Sequence, residues 1–128
     1  GYIAGCLAVL HDWGWIDVKS DRIRGLNLAV YSTVPLGAGV SSSAAIEVAT
    51  MMALVEHFEL RPALDPMRVA AMCQQVENAI VGAPCGIMDQ VTSAAGRRGM
   101  LLRLLCQPHE LGEPVKLPAG VRVVGINS

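Results

Sequence analysis

A glycine- and serine-rich stretch in the first third of the chain has the composition of a phosphate-binding loop. Residues 35–45 read Pro-Leu-Gly-Ala-Gly-Val-Ser-Ser-Ser-Ala-Ala. Gly37 and Gly39 permit positive φ and a close approach of the backbone to a ligand, and serine is a favoured N-cap for the helix that comes next. The first turn of that helix leaves N–H groups unpaired and able to bind an anion. Composition alone fits a phosphate cradle and a serine-capped helix equally well, and no Walker sequence occurs.

Three carboxylates on predicted helices are the other candidates for chemistry. By its pattern alone, Glu77 is a solvated side chain on a helix surface. Asp89 lies in the predicted first turn of a later helix, where the helix dipole stabilises an acid by about 0.3–1 kcal/mol. Glu47 is the only charged residue between positions 44 and 55, and we expect it to pair with a basic group outside this chain and not to bind a ligand. Arg97 and Arg98 are expected at the surface.

The elements that position these residues can be inferred from hydrophobic periodicity and from turn residues. We predict helices over residues 3–10, 43–57, 66–80 and 87–95, and strands within residues 22–34, 99–106 and 120–128, with a hairpin-like segment between the last two. Asp65 and Pro66 form a favourable helix start. Pro84 disfavours helix over residues 81–86, and Gly96 ends the last helix. Strands around helices in this order predict a two-layer α+β fold.

The composition excludes several classes of protein. Hydrophobic residues make up 52% and charged residues 16% of the 128 residues, against usual values of about 45–50% and about 25%. The longest apolar run, residues 44–55, is shorter than the about 20 residues that a membrane span needs, so we expect a piece of a larger protein and no membrane partner. A net charge of −1 without a basic run argues against nucleic acid. Four cysteines without a C-x-x-C pair predict reduced thiols in the cytoplasm and no zinc site.

Two stretches resemble the GHMP kinases, the superfamily of galactokinase, homoserine kinase, mevalonate kinase and phosphomevalonate kinase. Residues 35–45 resemble the phosphate-binding motif of that family. Residues 76–90, Val-Glu-Asn-Ala-Ile-Val-Gly-Ala-Pro-Cys-Gly-Ile-Met-Asp-Gln, resemble the segment with the catalytic aspartate of galactokinases, and are closer still to plant-type L-arabinokinases. The resemblance covers most of residues 22–128. It implies that residues 1–128 are the central part of a GHMP N-terminal domain, ribosomal protein S5 domain 2-like and incomplete, with the C-terminal GHMP domain absent from the chain.

The resemblance also implies a set of site residues. The residues that would bind ATP are Gly37, Ala38, Gly39, Val40, Ser41, Ser42 and Ser43. Ser43 and Glu77 would hold Mg²⁺, which needs few protein oxygens because it keeps several waters. Asp89 would accept the proton of the sugar hydroxyl or orient it, and Gly86 would bring its N–H group to the sugar. The family's motifs for further sugar contacts and for its glycine-rich C-terminal loop do not occur in the sequence.

These residues favour an ATP-dependent sugar-1-kinase of the galactokinase or L-arabinokinase type, in the cytoplasm, with a monosaccharide and ATP as partners. Two alternatives remain open. One is a galactokinase-like sensor that binds sugar and ATP without turnover, although such a sensor has no need to retain Asp89 and Glu77. The other is a GHMP kinase for a non-sugar alcohol such as mevalonate or homoserine. The sequence of residues 84–90, Pro-Cys-Gly-Ile-Met-Asp-Gln, argues against this alternative. We expect residues 1–128 alone to be inactive; the oligomeric state is not predicted.

Overall fold

The computed structural model describes residues 1–20, 23, 25–61 and 63–126. Within these residues, the chain forms four α-helices, one π-helical segment and one two-stranded antiparallel sheet. In chain order these are α1 (Tyr2–Asp12), α2 (Ser42–His57), α3 (Pro66–Gln75), the π segment (Val76–Val81), α4 (Met88–Ala95), β1 (Met100–Cys106) and β2 (His109–Lys116). The predicted α+β class is therefore confirmed for the described part of the chain.

Helix α2 lies at the centre of the helical layer and packs against α1, α3 and α4. Its interior positions are apolar on most sides, as the sequence predicts, and Met51 and Leu54 are fully buried there. Helix α1 approaches the π segment closely because Gly5 has no side chain. A Cβ at Gly5 would lie 2.6 Å from Cγ1 of Val76, so a larger residue would push these two elements apart.

The observed helix starts and ends differ only slightly from the predicted ones. Asp65 caps α3, and its Oδ1 accepts a hydrogen bond of 2.9 Å from the N–H group of Arg68. The predicted helix over residues 66–80 is confirmed as continuous helical backbone, but its last turn widens into the π segment. A π-helical turn of this kind is often found at functional sites. Pro84 lies in an irregular loop before α4, also as predicted.

Two of the three predicted strands are wrong. Residues 23 and 25–34 pair with no strand in the described part of the chain, and Arg22 and Arg24 lie outside it. Residues 120–126 are irregular, and 127 and 128 again lie outside. An alternating apolar pattern becomes a strand only when a neighbouring strand accepts and donates its backbone hydrogen bonds, and neither segment finds one.

The third predicted strand is confirmed as β1, and the hairpin-like segment after it contains β2. The two strands pair antiparallel, with Cys106 opposite His109 and Met100 opposite Lys116. Residues 28–34 run beside α2 and leave a groove of about 350 Å³ between them. No helix in the described residues has the length and apolar character needed to cross a membrane.

Candidate functional site

The glycine- and serine-rich loop has a left-handed backbone at every second residue. Gly37, Gly39 and Ser41 have φ values of 67°, 69° and 58°. Ser41 is unusual because a residue with a side chain is strained in this region, at a cost of about 1–3 kcal/mol. Strain of this kind is concentrated at ligand sites. A Cβ built on Gly39 would meet no atom within 4 Å. The space beside the loop is therefore open to a ligand.

The loop ends at the N-terminus of α2, where the first N–H groups of a helix have no intrahelical partners. Ser41 occupies the N-cap position, but its side chain makes no capping hydrogen bond, so a serine side-chain cap does not explain the loop. The N–H group of Ala45 donates the first intrahelical bond, to the Ser41 carbonyl at 3.0 Å, and the N–H groups of residues 42–44 precede that bond. Left-handed residues beside a helix N-terminus turn backbone N–H groups towards a common anion. This arrangement can cradle a phosphate.

The π segment carries a carboxylate that is held in place and not solvated. Glu77 is only 9% exposed, and its Oε2 accepts a hydrogen bond of 2.7 Å from Nε2 of Gln90 on α4. The Cys85 thiol also lies 3.4 Å from this oxygen. The expectation from pattern alone, a solvated surface glutamate, is therefore wrong. The carboxylate instead joins the π segment, the loop before α4, and α4 itself.

Glu47 is a second buried carboxylate that the sequence did not assign to the site. It has no exposed surface, and both of its oxygens lack a hydrogen-bond partner in the described structure. Burial first, and the negative charge of Glu77 second, raise the pKa of Glu47 to about 7. Gln90 lies close enough to oppose this shift in the pKa of Glu47, but its hydrogen-bond geometry assigns its N–H group to Glu77. Glu47 makes no ion pair among the described residues, and the expected pairing with a basic group outside this chain stays a prediction.

Glu47→Gln tests the buried carboxyl through the pH dependence of stability. The folded pKa of about 7 exceeds the ordinary value of 4.5, so the folded state binds more protons and wild-type stability falls as pH rises between these values. The glutamine variant lacks this loss. Its free energy of unfolding relative to wild type should increase by roughly 2–3 kcal/mol between pH 4.5 and pH 7.

The measurement is urea unfolding of the full-length protein at several pH values, with a chelator present. Glu56→Gln, on the exposed face of the same helix, serves as control because a surface carboxylate has little effect on stability. Parallel pH curves for wild type and Glu47→Gln would contradict a raised pKa at Glu47.

Asp89 and Gly86 lie where the sequence predicts them. Asp89 is in the first turn of α4 and is partly buried, next to the fully buried Gln90. Gly86 is exposed in the preceding loop, and a Cβ on it would meet no atom within 4 Å. Because α4 packs against α2, the helix with the acid and the helix with the glycine- and serine-rich loop are neighbours.

The donor set suits magnesium better than a metal that needs several protein ligands. The described residues contain no group of three His, Cys, Asp or Glu side chains that could hold a metal ion. Mg²⁺ uses one or two carboxylates and keeps several waters, so a hydroxyl at Ser43 and the held carboxylate of Glu77 are of the right chemical kind. A ligand whose other oxygen is hydrogen-bonded is also oriented in advance.

The four cysteines are free thiols. Cys6 and Cys73 are buried, and a hydrogen bond with the Cys6 thiol raises the pKa of Cys73, with burial acting in the same direction. Burial likewise raises the pKa of Cys85, which is partly exposed. A thiol with a raised pKa is a weak nucleophile, so Cys73 and Cys85 are not nucleophile candidates.

Comparison with known proteins connects this geometry to one family. The model of the GHMP kinases N terminal domain matches residues 1–97. L-arabinokinase from Arabidopsis thaliana is 46% identical over 127 residues, which make up 99% of this chain and 12% of that protein. The chain therefore spans about an eighth of the length of this relative. The matched residues include the glycine- and serine-rich loop, Glu77, Gly86 and Asp89.

Proposed function

Because the chain belongs to the GHMP kinases, we propose that the whole protein is an ATP-dependent sugar kinase of the L-arabinokinase or galactokinase type. It would transfer the γ-phosphate of ATP to the anomeric hydroxyl of a monosaccharide. The observation that carries the proposal is the loop of residues 37–41, left-handed at Gly37, Gly39 and Ser41, before the N-terminus of α2. The name of the relative, L-arabinokinase, supports a sugar as the acceptor.

In this proposal, residues 1–128 form the central part of an N-terminal domain with the ribosomal protein S5 domain 2-like fold. The rest of that domain would supply the strand partners that residues 25–34 and 120–126 lack here. The C-terminal GHMP domain would lie elsewhere in the whole protein, which we place in the cytoplasm. Its ligands are ATP, Mg²⁺ and the sugar, with no nucleic-acid or membrane partner.

The proposed ATP site is the loop itself. The residues that would surround the phosphates are Gly37, Ala38, Gly39, Val40, Ser41, Ser42 and Ser43. Backbone N–H groups at the start of α2 would meet the negative charge of the phosphates, and the two glycines would let the backbone approach them closely. Ser43 and Glu77 would hold Mg²⁺, which neutralises charge on the transferred phosphoryl group when it is bound.

The proposed sugar site is the start of α4. Asp89 would accept the proton of the attacking hydroxyl, or hold that hydroxyl in line with the phosphorus. Gly86 is exposed, and its N–H group would donate to the sugar. Because the transition state of phosphoryl transfer is loose, these groups would act by positioning the hydroxyl as well as by the basicity of the acid.

The experiment is ADP release from the full-length protein with Mg²⁺ and either L-arabinose or galactose. We expect release that depends on one of these sugars and is absent with mevalonate or homoserine. Sugar binding by calorimetry without any ADP release would replace the kinase with a sensor. Turnover with mevalonate or homoserine instead of a sugar would replace the acceptor class.

A further inference from the structure

The loop between the π segment and α4 is held by side chains, and Cys85 is the residue they hold. Its N–H group donates a hydrogen bond of 2.7 Å to Oδ1 of Asn78. Its carbonyl accepts one of 3.1 Å from Nε2 of Gln74. Its sulfur lies 3.4 Å from Oε2 of Glu77 and 3.5 Å from Nε2 of Gln90. Both backbone groups and the side chain of one loop residue are thus engaged by helical residues.

The loop residues before Cys85 make few hydrogen bonds that would fix the backbone conformation. Gly82 is left-handed, with φ of 77°, and the N–H group of Ala83 donates to the Glu77 carbonyl at 3.0 Å. Pro84 has no N–H group to donate. Two amide side chains, four residues apart on one continuous helical stretch, therefore determine where the backbone lies at Cys85.

Cys85 leads directly into the residues of the proposed sugar site. Gly86 is the next residue, and the space beside its Cα is open. Asp89 comes three residues later. The orientation of the peptide between Cys85 and Gly86 sets the direction of the Gly86 N–H group, and the carbonyl that Gln74 binds belongs to this same peptide.

We propose that Gln74 and Asn78 are positioning residues for the sugar acceptor. Gln74 fixes the peptide that presents the Gly86 N–H group to a sugar hydroxyl, and Asn78 fixes the preceding peptide, on the other side of the Cys85 Cα. This inference rests on the proposed sugar-kinase function. Both amides bind the loop before α4 and not the phosphate loop before α2, so they act on sugar binding and not on ATP binding.

The test compares substitutions in the full-length protein. Asn78→Leu keeps the size of the side chain and removes its acceptor, and Asn78→Asp keeps an acceptor oxygen. Gln74→Met removes the donor at constant length. Gln75→Met is the matched control, because the neighbouring Gln75 uses its amide to accept a hydrogen bond of 2.7 Å from Trp13, away from this loop.

Two measurements are needed: hydrogen exchange shows whether the amides hold the loop, and the KM values show whether the held loop positions the sugar. Hydrogen exchange at the Cys85 amide should become about tenfold faster in Asn78→Leu and remain near the wild-type rate in Asn78→Asp and Gln75→Met. The KM for the sugar should rise about tenfold in Asn78→Leu and Gln74→Met, while the KM for ATP stays within about twofold of wild type. Asn78→Asp should recover most of the sugar affinity. Asn78 is exposed, so its substitution should leave the thermal unfolding midpoint nearly unchanged.

Each other outcome has a definite meaning. Unchanged exchange at Cys85 in Asn78→Leu overturns the proposed hold on the loop. Faster exchange with an unchanged sugar KM, or equal rises in the KM for sugar and for ATP, overturns the positioning role. A wild-type protein that neither binds nor phosphorylates any sugar overturns the proposed function and the positioning role with it, whereas the exchange rates still decide whether the amides hold the loop.

Discussion

Asp89→Asn in the full-length protein should lower kcat by about 10²–10⁴, the usual range for a group that transfers a proton. The change keeps the volume of the side chain and one acceptor oxygen but removes the ability to take a proton. Affinities for sugar and ATP should change much less, because the loss falls mainly on the transition state. The measurement is ADP release under saturating sugar and ATP, together with calorimetric titration of both ligands.

Asp12→Asn is the control for this variant, because Asp12 is an exposed acid at the end of α1. It should retain the wild-type rate. An active wild type whose rate survives Asp89→Asn would remove the acid from the reaction. A wild type that binds sugar but is inert would make Asp89 a binding residue of a sensor.

Gly39→Val should weaken ATP binding by roughly tenfold or more, beyond any effect of its strain on folding. Gly39 has φ of 69°, and a β-branched residue is strongly disfavoured there, so valine would force the loop into another path. The space beside Gly39 is open in the protein, so the added methyl groups would not clash with the fold and would instead occupy the space where the phosphates are proposed to lie. Calorimetric ATP titration at matched thermal stability measures the effect.

Gly14→Val is the matched control for backbone strain. Gly14 has φ of 75° and equally open space, but it lies in the turn after α1. Both variants should lose similar stability from the strain, of the order of 1–3 kcal/mol, and only Gly39→Val should lose ATP affinity. Equal ATP affinity in the two variants would remove the loop from the nucleotide site.

The local features of this protein can be predicted from short stretches of its sequence. The helical periods of α2 and α3, the Asp65 cap and the break at Pro84 depend on residues within a few positions of one another, so a single sequence contains the information. The glycine- and serine-rich loop is recognisable for the same reason. The positions of Asp89 in a first helical turn and of Gly86 before it are likewise predicted by short-range pattern.

Contacts between distant polar groups and the pairing of apolar segments depend instead on how the elements pack. Glu77 and Gln90 lie 13 residues apart and Gln74 and Cys85 lie 11 apart, and helical period alone does not show that such residues touch. Glu47 is visible in the sequence as the one charge on an apolar helix, but its burial depends on the neighbours of α2. Residues 25–34 have the pattern of a strand and no pairing partner in the described chain, because a strand is completed by hydrogen bonds from a segment that its own sequence does not specify.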